Sequence, residues 1–218
     1  MKDKGNMHTP DWSALHRFWF SSPPAQLDNS DSVQAYLNER NTIWFGKDPT
    51  VDRTIHERFA PWLDLAATGK LSAWLEQPQS AISLIVLFDQ VPRNSFRESS
   101  RMFAYDAHAL TTSLNAMERF EKTLSVFERS FLYLPLEHSE DLTIQRLSVT
   151  KFEALAKDCT HTAYTAAIHE NFSENLDYAR RHLEIIERFG RFPHRNGILR
   201  RDSTPEEIEF LKTPRSSF

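Results

Sequence analysis

Glycine is scarce, 5 of 218 residues, where ordinary chains carry about 7%. Phosphate-cradling loops and tight hairpins depend on it, and neither the dinucleotide fingerprint nor the phosphate loop occurs in the chain. Valine is thin as well, 6 against 22 leucines, a bias away from β-branched strand formers toward straight-chain helix formers. An all-α fold is therefore expected. A single cysteine, Cys159, excludes an internal disulfide, and Met1 to Asp11 contains no apolar stretch of the kind a leader needs, so the chain reads as cytoplasmic. The longest nearly apolar run, Ala81 to Phe88, is about half of the ~18 residues a membrane span requires and reads as a buried core helix. Net charge is -4, which supplies no overall attraction to nucleic acid or acidic membrane; any basic site has to be local.

Apolar spacing places the helices. Thr9-Pro10 can cap a first one carrying Trp12, Leu15, Phe18 and Trp19 until Pro23-Pro24 stops it. Val51, Ile55, Phe59 and Trp62 or Leu63 predict a helix near 50–67 that Gly69 closes with a left-handed cap. Further helices are expected near 78–91, ending at Pro92, near 99–118, and near 122–134, halting at Pro135. Ser139 and Ser173 can cap two more, the second stopping at Gly190. Thr204-Pro205-Glu206-Glu207 has the cap, first-turn proline and glutamate of a capping box. Residues 20–42, rich in Ser, Pro, Asn and Asp, read as a surface segment with at most a short helix. With no composition break or detectable repeat, 1–218 is expected to form one domain of about eight to ten helices.

Charge on apolar faces marks the chemistry. A helical wheel over 78–91 puts Asp89 between Ile82 and Ile85, so it is expected to be buried and to need a partner, with Arg93, Asn94 and Arg97 just beyond it. The wheel over 173–189 turns His182 inward with Tyr178, Ala179, Ile186 and Phe189, and turns Arg180, Glu184 and Glu187 to solvent. Arg188-Phe189-Gly190-Arg191-Phe192-Pro193-His194-Arg195-Asn196 gathers arginines, a histidine and an asparagine around two phenylalanines, a composition suited to gripping an anion. Glu137 and His138 precede a helix start, where free N–H groups favour anions. Helix-end capping and buried ion pairs would use the same residues. His169-Glu170-Asn171-Phe172-Ser173 lacks the second histidine of a zinc motif, Cys159 sits in a polar stretch near His161, and no nucleophile elbow occurs.

Taken together, Trp44-Phe45-Gly46-Lys47-Asp48, Leu87-Phe88-Asp89-Gln90-Val91-Pro92-Arg93-Asn94, Tyr133-Leu134-Pro135-Leu136-Glu137-His138-Ser139-Glu140-Asp141, Asp177-Tyr178-Ala179-Arg180-Arg181-His182, Arg188 to Asn196 and Ser203-Thr204-Pro205-Glu206-Glu207 resemble a largely bacterial family catalogued as domain of unknown function 924. The likeness runs from about Trp44 to Phe218 and leaves 20–42 outside it. It implies an all-α fold of antiparallel helix pairs in a right-handed, tetratricopeptide-like array, and brings no established activity. It departs at Ile198-Leu199-Arg200-Arg201, where the family usually has glycine at the position of Arg200.

Three readings of function follow. In the first, a binding module lines one concave site with Asp89, Arg93, Asn94, Arg97, Glu137, His138, His182, Arg191, His194, Arg195 and Asn196 for an anionic small molecule or acidic peptide, without cofactor, metal, nucleic acid or membrane. In the second, a hydrolytic enzyme holds an anionic substrate with the arginines while Glu137, His138, His182 or His194 moves protons. In the third, the charges only pin helix ends. A histidine that donates to an anion must be protonated, so its affinity falls as pH rises through about 6 to 7, whereas a general base must be neutral.

Overall fold

The structure, a computed structural model, describes residues 10–23, 29–160 and 166–218. Within them every regular element is a helix. In chain order these are α1 (Trp12–Phe20), α2 (Ser30–Trp44), α3 (Pro49–Phe59), α4 (Leu63–Ala67), α5 (Pro78–Ser95), α6 (Asp106–Phe120), α7 (Val126–Glu137), α8 (Leu142–Asp158), α9 (Ala166–Phe189), α10 (Asn196–Leu199) and α11 (Pro205–Leu211), with short 3-10 turns between some of them. No helix among the described residues is long and apolar enough to cross a membrane.

Short polar side chains start most of these helices by accepting from N–H groups that have no intrahelical partner. Asp11, Asn29, Asp48 and Asp141 do so for α1, α2, α3 and α8, and Ser125 with Glu128 and Thr204 with Glu207 form complete capping boxes for α7 and α11. Asp11 thus caps α1; Thr9 and Pro24 lie outside the described residues. The expected cap at Ser139 is replaced by Asp141, and Ser173 lies in the interior of α9, which begins well before it. Gly69 and Gly190 take the left-handed conformation at φ 77° and 67°, as a glycine stop requires.

Two prolines expected to end helices do not. Pro92 is inside α5 and Pro135 inside α7. Each forfeits one backbone hydrogen bond, but both are buried, and the apolar packing around these turns offsets the loss. In the turn that Pro92 disturbs, Arg93 Nη1 donates to the Asp89 carbonyl at 2.6 Å.

Helix α5 is the centre. Ala81 to Phe88 is buried throughout, and α5 touches α1, α3, α6 and α7. Consecutive long helices pack in order, α6 on α7, α7 on α8 and α8 on α9. The 20–42 reading needs correction: α2 is fifteen residues long and buries Val33, Tyr36, Leu37, Arg40 and Trp44. Arg40 Nη1 and Trp44 Nε1 each donate at 2.8 Å to α1 carbonyls, Phe18 and Trp19 respectively. Within α2 the polar residues Ser32, Gln34, Asn38, Glu39 and Asn41 stay exposed. Cys159 is also corrected, for it is fully buried at the end of α8, and burial pushes its thiol up to about 12.

Candidate functional site

Asp89 and His182 face inward as the wheels require, at 1% and 3% exposure. Tyr178 does not follow the wheel and stays 47% exposed. Asp89 Oδ2 accepts from Gln90 Nε2 at 2.6 Å, its Oδ1 lies 2.7 Å from His138 Nδ1, and Arg93 Nη1 stands 3.4 Å away. Burial would raise this carboxyl, but the Arg93 charge, then His138 and Gln90, outweigh it and hold the group well below the usual carboxylate range.

From Asp89 the cluster spreads across four chain segments. Arg93 Nη1 bonds Asp106 Oδ1 at 2.9 Å, and the other oxygen of Asp106 lies 3.4 Å from Arg195 Nη1. Asp106, at the first turn of α6, is thus a bridge between two guanidinium groups, and no sequence pattern pointed to it. Arg195 is 6% exposed, with its charge centre 4.6 Å from the ring centre of Phe103 and 4.5 Å from that of Phe192. Burial, reinforced by the like charge of Arg93, lowers the Arg195 guanidinium to about 10, still charged at neutral pH. Glu140, two residues after His138, accepts from the Phe192 amide at 2.8 Å and pairs with Arg201 at 2.7 Å, which anchors the 191–195 loop over the cluster.

Glu137 and His182 form a second buried pair. Glu137 Oε1 is 3.2 Å from His182 Nδ1, which also lies 2.8 Å from the Tyr178 carbonyl. Burial, and then the negative charge of Asp89, raise the Glu137 carboxyl to about 8. Burial likewise holds the His182 imidazole well below its ordinary value, so this contact joins two neutral groups at neutral pH. His194 is lowered to about 4 by burial and by Arg195, and His138 is lowered by burial and Arg93 despite its bond to Asp89. Asp89 and Glu140 pull His138 and His194 upward, but desolvation and the arginines outweigh them.

Of the eleven residues singled out in the sequence, Asp89, Arg93, Glu137, His138, His182, His194 and Arg195 belong to this connected cluster. The other four have structural partners elsewhere. Arg97 forms a two-pronged pair with Asp52 of α3, at 2.5 and 2.8 Å, and bonds Gly46 O and Asn94 Oδ1. Arg191 grips Glu207 at 2.7 and 2.8 Å, and Asn196 bonds Ser203 and Glu207 while accepting from Arg201. These contacts fasten α11 and the 191–203 loop. Partners of this kind are what helix-end pairing of these four residues would use.

Within the cluster, Arg93 Nη2, Arg195 Nε and His194 Nδ1 are buried and find no hydrogen-bond partner among the described residues. Buried donors are nearly always paired; Arg40 Nε and Arg129 Nε are open elsewhere in the fold, and what sets this cluster apart is that two guanidinium groups bridged by one carboxylate, Asp106, each keep an open N–H. Among the described residues no group of three His, Cys, Asp or Glu side chains is placed to hold a metal ion. A surface groove of about 610 Å³, lined by Glu98, Ser99, Ser100, Ile198, Leu199 and Arg200, contains none of the residues in the cluster.

Comparison with known proteins locates the chain without assigning it an activity. The family described as "Bacterial protein of unknown function (DUF924)" matches residues 15–215, which takes in the 20–42 segment outside the recognised motifs. A solved structure of a protein of unknown function, ATU0120 from Agrobacterium tumefaciens, is 33% identical, covers 93% of this chain and 99% of its own, and superposes with a TM-score of 0.69. None of the curated proteins matches.

Proposed function

Since the chain belongs to the bacterial DUF924 family, whose description names no activity, we infer its role from the cluster itself and assign it the binding of an anionic small ligand, or an acidic peptide end, between Arg93 and Arg195. The observation that carries this reading is the pair of open donors, Arg93 Nη2 and Arg195 Nε. A buried donor left unpaired costs about 1 to 3 kcal/mol, more for a charged group, and an anion would pair both at once through charge-assisted bonds. The aromatic rings beside Arg195 exclude water and strengthen that attraction. Asp89 and Asp106 orient the two guanidinium groups and balance their charge.

Thermal-shift measurement of the full chain against carboxylates, phosphates and nucleotides tests this directly, because a ligand that binds only the folded state raises the melting temperature. The expected result is a shift with at least one anion class. Arg195→Gln or Arg93→Gln should weaken binding by about 1.5 to 3 kcal/mol, while Arg191→Gln leaves affinity unchanged because Arg191 is held by Glu207. No shift across all three classes would leave the cluster as a set of structural ion pairs.

One observation favours a second reading, a hydrolytic enzyme acting on an anionic substrate. Glu137, raised to about 8, is a carboxylic acid still able to donate a proton at neutral pH. Its test is product release from phosphate or carboxylate esters of the anion class that shifts melting, with Glu137→Gln keeping binding and losing turnover.

A further inference from the structure

The geometry points to a ligand that carries a planar aromatic ring beside its anionic group, an aromatic carboxylate, because a ring of the chain itself occupies a built ring site next to the open donors. This inference rests on the anion-binding reading and names the ligand class for the same site. Phe218 lies nearly parallel to the His182 imidazole, with centroids 3.6 Å apart and planes inclined by 19°. His194 and Phe192 meet the same ring edge-on, at 5.8 and 6.5 Å, and the Arg181 charge centre is 5.1 Å from its middle. A flat face below, edges at the sides and a cation nearby are the surroundings that an aromatic ring prefers.

The occupant is lightly held. Phe218 keeps 41% of its surface exposed, whereas the His182 and Phe192 rings it lies against are 3% and 0% exposed. After α11 its segment is fastened by Ser216 Oγ donating to Leu211 O at 3.1 Å and Arg181 Nη2 donating to Arg215 O at 3.3 Å, and Arg215 sits in the left-handed region at φ 63°. The floor beneath it is held from below, since His182 Nδ1 donates to the Tyr178 carbonyl at 2.8 Å and lies 3.2 Å from Glu137 Oε1.

The ring site also adjoins the donors. His194, whose buried Nδ1 lacks a partner, touches the Phe218 ring, and Phe192 touches Phe218, His182 and the Arg195 guanidinium. A ligand ring seated on His182 in place of Phe218 would carry a carboxylate attached to it toward His194 and Arg195. Phe218 is then a built-in competitor that keeps the aromatic floor covered until a ligand arrives.

Calorimetric titration of benzoate and of acetate into the unaltered chain, Phe218→Ala and Arg195→Gln tests this. Removing a competing occupant raises the binding-competent fraction, so benzoate should bind about tenfold tighter to Phe218→Ala, with acetate equal in the two proteins and both anions weakened in Arg195→Gln. Phe218→Leu, which retains an apolar side chain without the stacking face, should fall between. Benzoate binding no better than acetate, or unimproved in Phe218→Ala, overturns the ring site while acetate binding upholds the anion reading. If neither anion nor inorganic phosphate binds, the anion reading falls, and the ring site with it.

Discussion

Arg200 has φ 55° and ψ 42°, and the turn it makes closes α10 through bonds from Arg200 N to Gly197 O at 3.3 Å and from Arg201 N to Asn196 O at 2.8 Å. This is the left-handed helix stop that glycine serves best. A left-handed L-residue is disfavoured by roughly 1 to 2 kcal/mol, part of which glycine gives back through its freer unfolded chain. Arg200→Gly is therefore expected to raise stability by up to about 1 kcal/mol, read as a higher urea midpoint at unchanged slope. The bonds of Arg201 to Glu140 and Asn196 are unaffected by the change, so the loop over the cluster should keep its place.

At the scale of elements, α5 carries both the core and the site. Its apolar stretch from Ala81 to Phe88 leads into Asp89 within one helix, so the charge is held at a place set by packing on several sides. Ile85, with 0% exposure, is expected to cost about 2 to 5 kcal/mol when cut to alanine, measured by chemical denaturation. Gln34→Ala, on the exposed side of α2, should stay within about 0.5 kcal/mol. Helix α5 was legible as a buried helix from composition, and its inward carboxylate from the wheel. Its continuation past Pro92 was not, because the local penalty for proline is known from sequence while the packing that offsets it comes from other helices. The same holds for α2, where Val33, Ala35, Tyr36 and Leu37 by themselves suggest only a short helix; the bonds of Tyr36 and Arg40 to α1 carbonyls and the packing of α2 on α9 come from elsewhere in the chain.

For the whole molecule, the buried titrating groups set two opposing pH dependences. His182 and His194 have lowered pKa values in the fold, so the unfolded chain takes up protons first as pH falls, and stability is lost from about 6.5 downward, reaching toward about 4 for His194. Asp89, also depressed, loses its contribution at still lower pH. Glu137 works the other way: its contribution is fully present below the ordinary carboxyl value of 4.5 and is lost as pH rises to about 8. Glu137→Gln, which keeps a neutral hydrogen-bonding group, should therefore be more stable than the unaltered chain at pH 8 and nearly equal to it at about pH 4.5. Melting temperatures of both proteins across that interval give the answer; a constant difference would mean that Glu137 is ionised in the fold.

Helix identity was determined locally: glycine and valine scarcity, apolar spacing and the capping box at Thr204 are properties of neighbouring residues, and they survive unchanged in the fold. The inward direction of Asp89 and His182 was equally determined, because periodicity fixes which face a side chain shares with the core. Which charge meets which was decided by tertiary structure alone. Arg191 and Arg195 lie in the same loop, yet one is spent on Glu207 and the other is buried beside Asp106. Arg93 and Arg97 leave the same helix end toward Asp106 and Asp52, residues far apart in the chain. Composition shows that such partners exist, but a charge pairs with what is near it in space, and that nearness is created only when the helices pack.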